Sequence, residues 1–144
     1  MKRLSFAGMV GLLAATLTAT GVQAAPSSGF TGAWVGIDPV DGSTQHLYVQ
    51  GGAKTQILYV DEFGTTCVDI GAPTTVFTAI LTGTVSGNEL DAWFKVAKCG
   101  PKLVLPAAAF FSWTFLYDDH GTADPSDDTI YGALNDGPTT WQRA

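Results

Sequence analysis

The chain has 144 residues, of which 46% are hydrophobic, and it carries 7 basic residues against 13 acidic ones, a net charge of −6. This size fits one domain with a hydrophobic core of its own. Because no basic cluster is present that could follow a phosphate backbone, nucleic acid is not an expected partner.

The first 24 residues have the pattern of an export signal. Two basic residues precede the uncharged apolar stretch 4–17, and a small-x-Ala site ends at Ala24. A membrane anchor is the alternative, but the apolar stretch is short for a span and Pro26 follows closely. We therefore expect cleavage after Ala24 and a secreted or periplasmic chain without a membrane span.

The mature chain, residues 25–144, is expected to form a single domain. Removal of the first 24 residues takes two basic residues away, which leaves five basic against 13 acidic and a net charge of −8. Its first predicted strand, residues 30–37, places Trp34 between Gly32 and Gly36 on one face. These glycines have no side chains, so a neighbouring ring or backbone can approach the indole closely.

Short segments of alternating polarity, separated by Gly, Pro, Asn and Asp turns, follow along the chain. They predict strands at residues 44–50, 54–61, 65–70, 74–85, 89–99, 110–117, 128–134 and 139–143. The link at residues 99–109 is expected to be a loop, and no segment has a helical period. The pattern predicts an all-β, antiparallel up-and-down meander of eight or nine strands closed into a small barrel. A two-sheet β-sandwich is the alternative fold.

The two ends of this predicted meander carry a Gly-x-Trp at Gly32 and Trp34 and a Trp-x-Arg at Trp141 and Arg143. This combination resembles the calycin-like barrels, the group that includes lipocalins and avidins. The resemblance implies that closure brings the last strand beside the first, with Trp34 buried near one end of the barrel. It also implies that Arg143 lies over the indole ring as a cation over an aromatic face.

Cys67 and Cys99 are the two cysteines of the chain. In an exported protein, an even pair indicates a disulfide. Closing a loop of this length should stabilise the fold by about 3 to 4 kcal/mol. Two free thiols or a pair of metal ligands are the alternatives.

Residues able to carry chemistry are few. His46 and His120 are the only histidines, and neither has a recognisable nucleophile motif beside it. We expect no enzyme activity, no cofactor and no metal. The adjacent carboxylates Asp61 and Glu62 are interpreted as a solvated turn. The acidic loop 118–128 is the one candidate calcium site, but its spacing matches no calcium-loop pattern, so calcium is not expected to bind.

Two functions are compatible with such a barrel. In the first, it carries a small apolar molecule in a pocket lined by interior aromatic residues. The candidate lining residues are Trp34, Phe77, Phe94, Trp113 and Phe115. A barrel of eight strands can equally be filled by its own side chains.

In the second function, the barrel is a scaffold that works through its outer surface. Trp93, Tyr48 or Tyr59 would then form a patch for a protein, a glycan or a second copy of the chain. A protease inhibitor belongs to this class by analogy of architecture alone.

Overall fold

A computed structural model describes residues 29–105, 112–134 and 137–144. These residues form nine strands and one short helix, α1. The elements in chain order are β1 Gly32–Ile37, β2 Thr44–Gly51, β3 Lys54–Asp61, α1 Thr65–Asp69, β4 Phe77–Ser86, β5 Glu89–Cys99, β6 Lys102–Leu105, β7 Ser112–Asp118, β8 Thr129–Leu134 and β9 Gly137–Arg143. The proposed signal segment, residues 1–24, and the predicted turn residues Asn135 and Asp136 lie outside the described residues.

The strands close into a barrel. Each of β1 to β5 pairs with its neighbour in sequence, β5 pairs with β7, and β7, β8 and β9 continue the ring back to β1. All of these pairings are antiparallel. Eight strands therefore form the closed barrel, and β6 is an extra strand beside the far end of β5. The predicted closed barrel is confirmed, and a two-sheet sandwich is excluded.

Two predicted elements are wrong. Residues 65–70 form a helical turn instead of a strand, in which the Ile70 N–H bonds the Thr66 carbonyl. The β-branched residues there favour a strand, but the segment lies between two turns and closes backbone hydrogen bonds within itself. The predicted loop 99–109 contains β6, because residues 102–105 find a free edge on β5.

Residues alternate between a packed interior and the outer face, as the period-2 pattern predicts. One exception lies on β5, where the pairing shifts so that Ile80 faces Val96 and Leu81 faces Phe94. Lys95 is the extra residue of this bulge. As a result Val96 leaves the inner face expected for it, and Ala97 is buried instead.

The disulfide between Cys67 and Cys99 is present, as predicted from the sequence. Their Cα atoms are 5.5 Å apart, and both residues are fully buried. The bond fastens α1 to the end of β5. Within the described ranges, no helix has the length and apolar character needed to cross a membrane.

Candidate functional site

One end of the barrel is sealed by Trp34 and Arg143. Trp34 lies on β1 with no solvent exposure, and its Nε1 donates a 2.8 Å hydrogen bond to the Phe30 carbonyl. Trp34 pairs directly with Arg143 of β9, whose guanidinium carbon is 4.4 Å from the indole centroid. The predicted burial of Trp34 and its contact with Arg143 are therefore confirmed.

Arg143 makes more contacts than the sequence indicated. Its Nε and Nη2 lie 2.9 and 2.8 Å from the carboxylate of Asp128. It also donates hydrogen bonds to the carbonyls of Gly29 and Thr31. Only 4% of the Asp128 side chain is exposed, so the carboxylate of this ion pair is removed from water. Asp128, the last residue of the predicted acidic loop, directly precedes β8 and is buried.

Tyr117 completes this sealed end. Its ring packs edge-on against Trp34, with the centroids 6.3 Å apart. The pKa of Tyr117 is raised, first by desolvation and then by the hydrogen bond that its hydroxyl donates to Asp128. These groups enclose the Asp128 carboxylate, while 24% of the Arg143 side chain stays exposed.

The candidate interior residues lie inside the barrel, but they contact one another. Trp113 packs edge-on against Phe94, Phe115 and Tyr59, with centroid distances of 4.5, 6.0 and 5.1 Å. Phe77 joins the group through Tyr59 at 6.1 Å. Trp34 lies apart from them at the sealed end. The sequence placed these rings on the inner face correctly, and the structure shows them packed against each other.

Part of the barrel interior, among the described residues, is tightly packed. Six apolar side chains surround a space there that has no room for a water molecule. These residues are Leu47, Val49, Ile57, Leu90, Phe115 and Ile130. Side chains of this size can fill an eight-stranded barrel.

A buried polar cluster lies at the end opposite Arg143. Gln45 is fully buried and its Nε2 donates a 2.7 Å hydrogen bond to Asp38. Asp61, which pairs with Gln45, accepts hydrogen bonds from Ser43 and from the Phe63 N–H. Desolvation raises the pKa of Asp61, and the negative charges of Asp38 and Asp41 add to the shift. Both carboxyl groups of the cluster are only 7% exposed.

The outer face of β3, β4 and β5 carries a shallow trough of about 360 Å³. The trough results from the pairing register of these strands, which places Gln56, Thr82 and Trp93 side by side. Lys54 and Thr84 form the next step of the same face. Because the middle strand contributes only short threonines, the longer side chains on both sides stand up as walls about 10 Å apart.

Trp93 is the principal wall of this trough, with 44% of its surface exposed. The side chains of Lys54, Gln56, Thr82 and Thr84 have no hydrogen-bond or ion-pair partner among the described residues. The trough therefore combines an open aromatic face with an ammonium, an amide and two hydroxyl groups, all available to a ligand.

An apolar row runs beside the trough on the same outer face. Tyr48, Leu58 and Ile80 pair across β2, β3 and β4 and are each at least 40% exposed. The sequence also proposed Tyr59 for an outer patch, but Tyr59 is 97% buried and points inward. Its neighbour Leu58 takes the outward position, because successive residues of a strand point to opposite faces.

The histidines and the acidic loop form no further site. His46 stacks on Tyr48 and lies 3.4 Å from Glu62, and His120 contacts Thr129. In residues 29–105, 112–134 and 137–144, no three His, Cys, Asp or Glu side chains are grouped so that they could hold a metal ion. The loop carboxylates instead accept hydrogen bonds from nearby loop N–H groups, as Asp118, Asp119 and Asp124 show.

A second surface depression, of about 440 Å³, lies beside that loop. Leu116 and Tyr131 form its apolar part, and Asp118 and Asp119 border it. Each of these two carboxylates accepts a backbone hydrogen bond from the loop through its Oδ1.

No known protein family, no curated protein and no solved structure matches this chain significantly.

Proposed function

We propose that this protein is an exported binding protein without enzyme activity, which works through the outer face of β3, β4 and β5. The observation that carries the proposal is the trough beside Trp93. A large aromatic ring is held in the open next to polar groups that no described residue uses. Exposed large apolar surface next to unused polar groups marks an interaction site.

The packing of the interior supports this function over that of a carrier. The space between six interior apolar side chains has no room for a water molecule, and the candidate lining residues Phe94 and Trp113 pack against each other. A carried molecule would have to displace side chains that are already close-packed, at a cost in packing energy.

Export is supported by the disulfide between Cys67 and Cys99 together with the signal-like residues 1–24. The full chain, expressed in a bacterium, should accumulate outside the cytoplasm with Ala25 as its first residue. N-terminal sequencing of the exported protein tests this. A product that begins at Met1 and stays in the cytoplasm would contradict export.

The binding function is tested with immobilised mature protein, residues 25–144. It is exposed in parallel to a random-peptide phage library and to an array of immobilised oligosaccharides. Trp93→Ala removes the wall of the trough, and Tyr131→Ala is the matched control, because Tyr131 is a similarly exposed aromatic residue that lies outside the trough on β8, two strands from β5. We expect ligands that the wild type and Tyr131→Ala retain and that Trp93→Ala loses.

Two outcomes would overturn the proposed function. One is that no ligand from either collection distinguishes the wild type from Trp93→Ala. The other is saturable binding of lauric acid, one molecule per barrel, followed by quenching of the buried tryptophans. Such binding would instead establish the carrier function.

A further inference from the structure

We propose that the trough beside Trp93 is a binding site for a neutral glycan. This inference rests on the proposed outer-face function and names its ligand class. The site is defined by the side chains of Lys54, Gln56, Thr82, Thr84 and Trp93.

The shape and chemistry of the trough match a sugar ring. A pyranose has a face of C–H groups, which packs on the electron-rich face of an indole, and an edge of hydroxyl groups that both donate and accept hydrogen bonds. Trp93 supplies the aromatic face on one wall. Gln56 on the opposite wall both donates and accepts, and the threonine hydroxyls of the floor do the same.

The charges around the trough favour a neutral ligand. Lys54 is the one cationic side chain that lines it. Asp91 of β5 pairs with Thr84 at the same step and keeps one carboxylate oxygen free, since only its Oδ1 accepts the Thr114 hydroxyl. One positive and one negative group leave the site near electrical neutrality, so a polyanionic glycan has no advantage there.

A peptide fits this site less well. β4, the floor of the trough, is paired on both sides, with β3 and with β5. Its backbone groups are thus engaged, and an extended peptide cannot add to it as a new strand. A helix would need an apolar groove, but the floor carries Thr82 and Thr84.

The row formed by Gln56, Thr82 and Trp93 continues beyond the trough on both sides with polar side chains. Gln50 pairs with Gln56, and Ser112 pairs with Trp93. The row from Gln50 to Ser112 crosses five strands, which is about 19 Å at ordinary strand spacing. This length suits an oligosaccharide that lies across the strands. The Trp93 indole would then contact it near one end of the row.

The test measures binding of the mature protein to an array of neutral hexose and N-acetylhexosamine oligosaccharides, followed by titration of the strongest one. Trp93→Ala should weaken binding by at least about tenfold, and Trp93→Phe should retain part of it, because a smaller aromatic face remains. Tyr131→Ala should bind like the wild type. Each variant's Tm is measured as a control for folding.

A second variant separates a glycan from an apolar ligand. Thr82→Val replaces one floor hydroxyl by a methyl group of similar size, and valine shares the strand preference of threonine. A glycan should bind Thr82→Val several-fold more weakly, since it loses a hydrogen-bond partner. An apolar ligand should bind this variant at least as well as it binds the wild type.

The glycan inference is overturned if no oligosaccharide binds, or if Trp93→Ala or Thr82→Val binds as the wild type does. If some peptides bind through Trp93 and no glycan does, the glycan inference is overturned, while the outer-face function stays in place. Failure of both collections would overturn both.

Discussion

Arg143 and Asp128 form the contact on which the sealed end of the barrel depends. The guanidinium contacts four groups there: a ring, a carboxylate and two carbonyls. The sequence pointed to the ring contact alone, because the chain separates Asp128 from its partner by a strand and a turn. A carboxylate so deeply buried needs its cation, since an unpaired buried charge is costly.

We predict that Arg143→Ala lowers the free energy of unfolding by about 3 kcal/mol or more, because it leaves Asp128 buried without a partner. Adding Asp128→Asn should restore part of this loss, since a neutral amide needs no countercharge. Trp34→Ala should cost about 3 to 5 kcal/mol, as for a large buried aromatic residue. Urea unfolding measures all three. If adding Asp128→Asn to Arg143→Ala restores no stability, the loss of the ion pair does not account for the destabilisation by Arg143→Ala.

Asp61 should make stability depend on pH. Burial raises its pKa above the ordinary value of 3.8, so the folded protein binds this proton more tightly than the unfolded chain does. The stabilisation is complete below that ordinary value and is lost as the pH rises through the raised pKa. Asp61→Asn cannot ionise, so it should gain stability relative to the wild type between acidic and neutral pH. Urea unfolding of both proteins across this pH range measures the difference between their free energies of unfolding. A difference that stays constant or shrinks as the pH rises would contradict the burial of the charge.

At the scale of elements, the sequence predicted strands wherever polarity alternates over enough residues to form a ladder. It failed for α1, whose five residues are too few for a period to show. β6 was missed for a related reason: four residues next to prolines read as a loop, and only the free edge of β5 makes them a strand. The bulge at Lys95 was also invisible, because it exists only as a mismatch between two paired strands.

The disulfide is the strongest constraint on α1. We predict that Cys67→Ala with Cys99→Ala lowers the free energy of unfolding by about 3 to 4 kcal/mol, by the loop-closure entropy of a separation of 32 residues. Urea unfolding of the double variant and of the reduced wild type should give similar losses. The barrel strands, which are joined by their own ladders, should keep their circular dichroism. An unchanged stability in both samples would show that the bond adds nothing to the barrel.

For the molecule as a whole, the sequence could predict the closed barrel, because closure follows from nine short segments with tight turns and from the matching residues at the two ends. The candidate site was less accessible to sequence reasoning. Trp93 could be placed on the outer face, but its neighbours Gln56 and Thr82 come from other strands. Only the register of three strands shows that these side chains form a trough.

Calcium should leave the whole molecule unchanged. The carboxylates of loop 118–128 accept hydrogen bonds within the loop, and Asp128 is paired with Arg143. We predict that millimolar calcium chloride leaves the Tm of the mature protein within experimental error, with magnesium chloride at equal ionic strength as the control. A rise specific to calcium would show that the ion binds the folded state.

The bond between Cys67 and Cys99 also determines what a cut in the chain would do. Residues 71–76 join α1 to β4 and most of them are exposed, Val76 by 37%, so a protease can reach this segment. This segment lies between the two cysteines. A single cleavage would therefore leave two fragments joined by the disulfide, with every barrel ladder still in place. On a gel, the nicked protein should run as one band until a reducing agent is added, so damage at this site would go unnoticed under oxidising conditions.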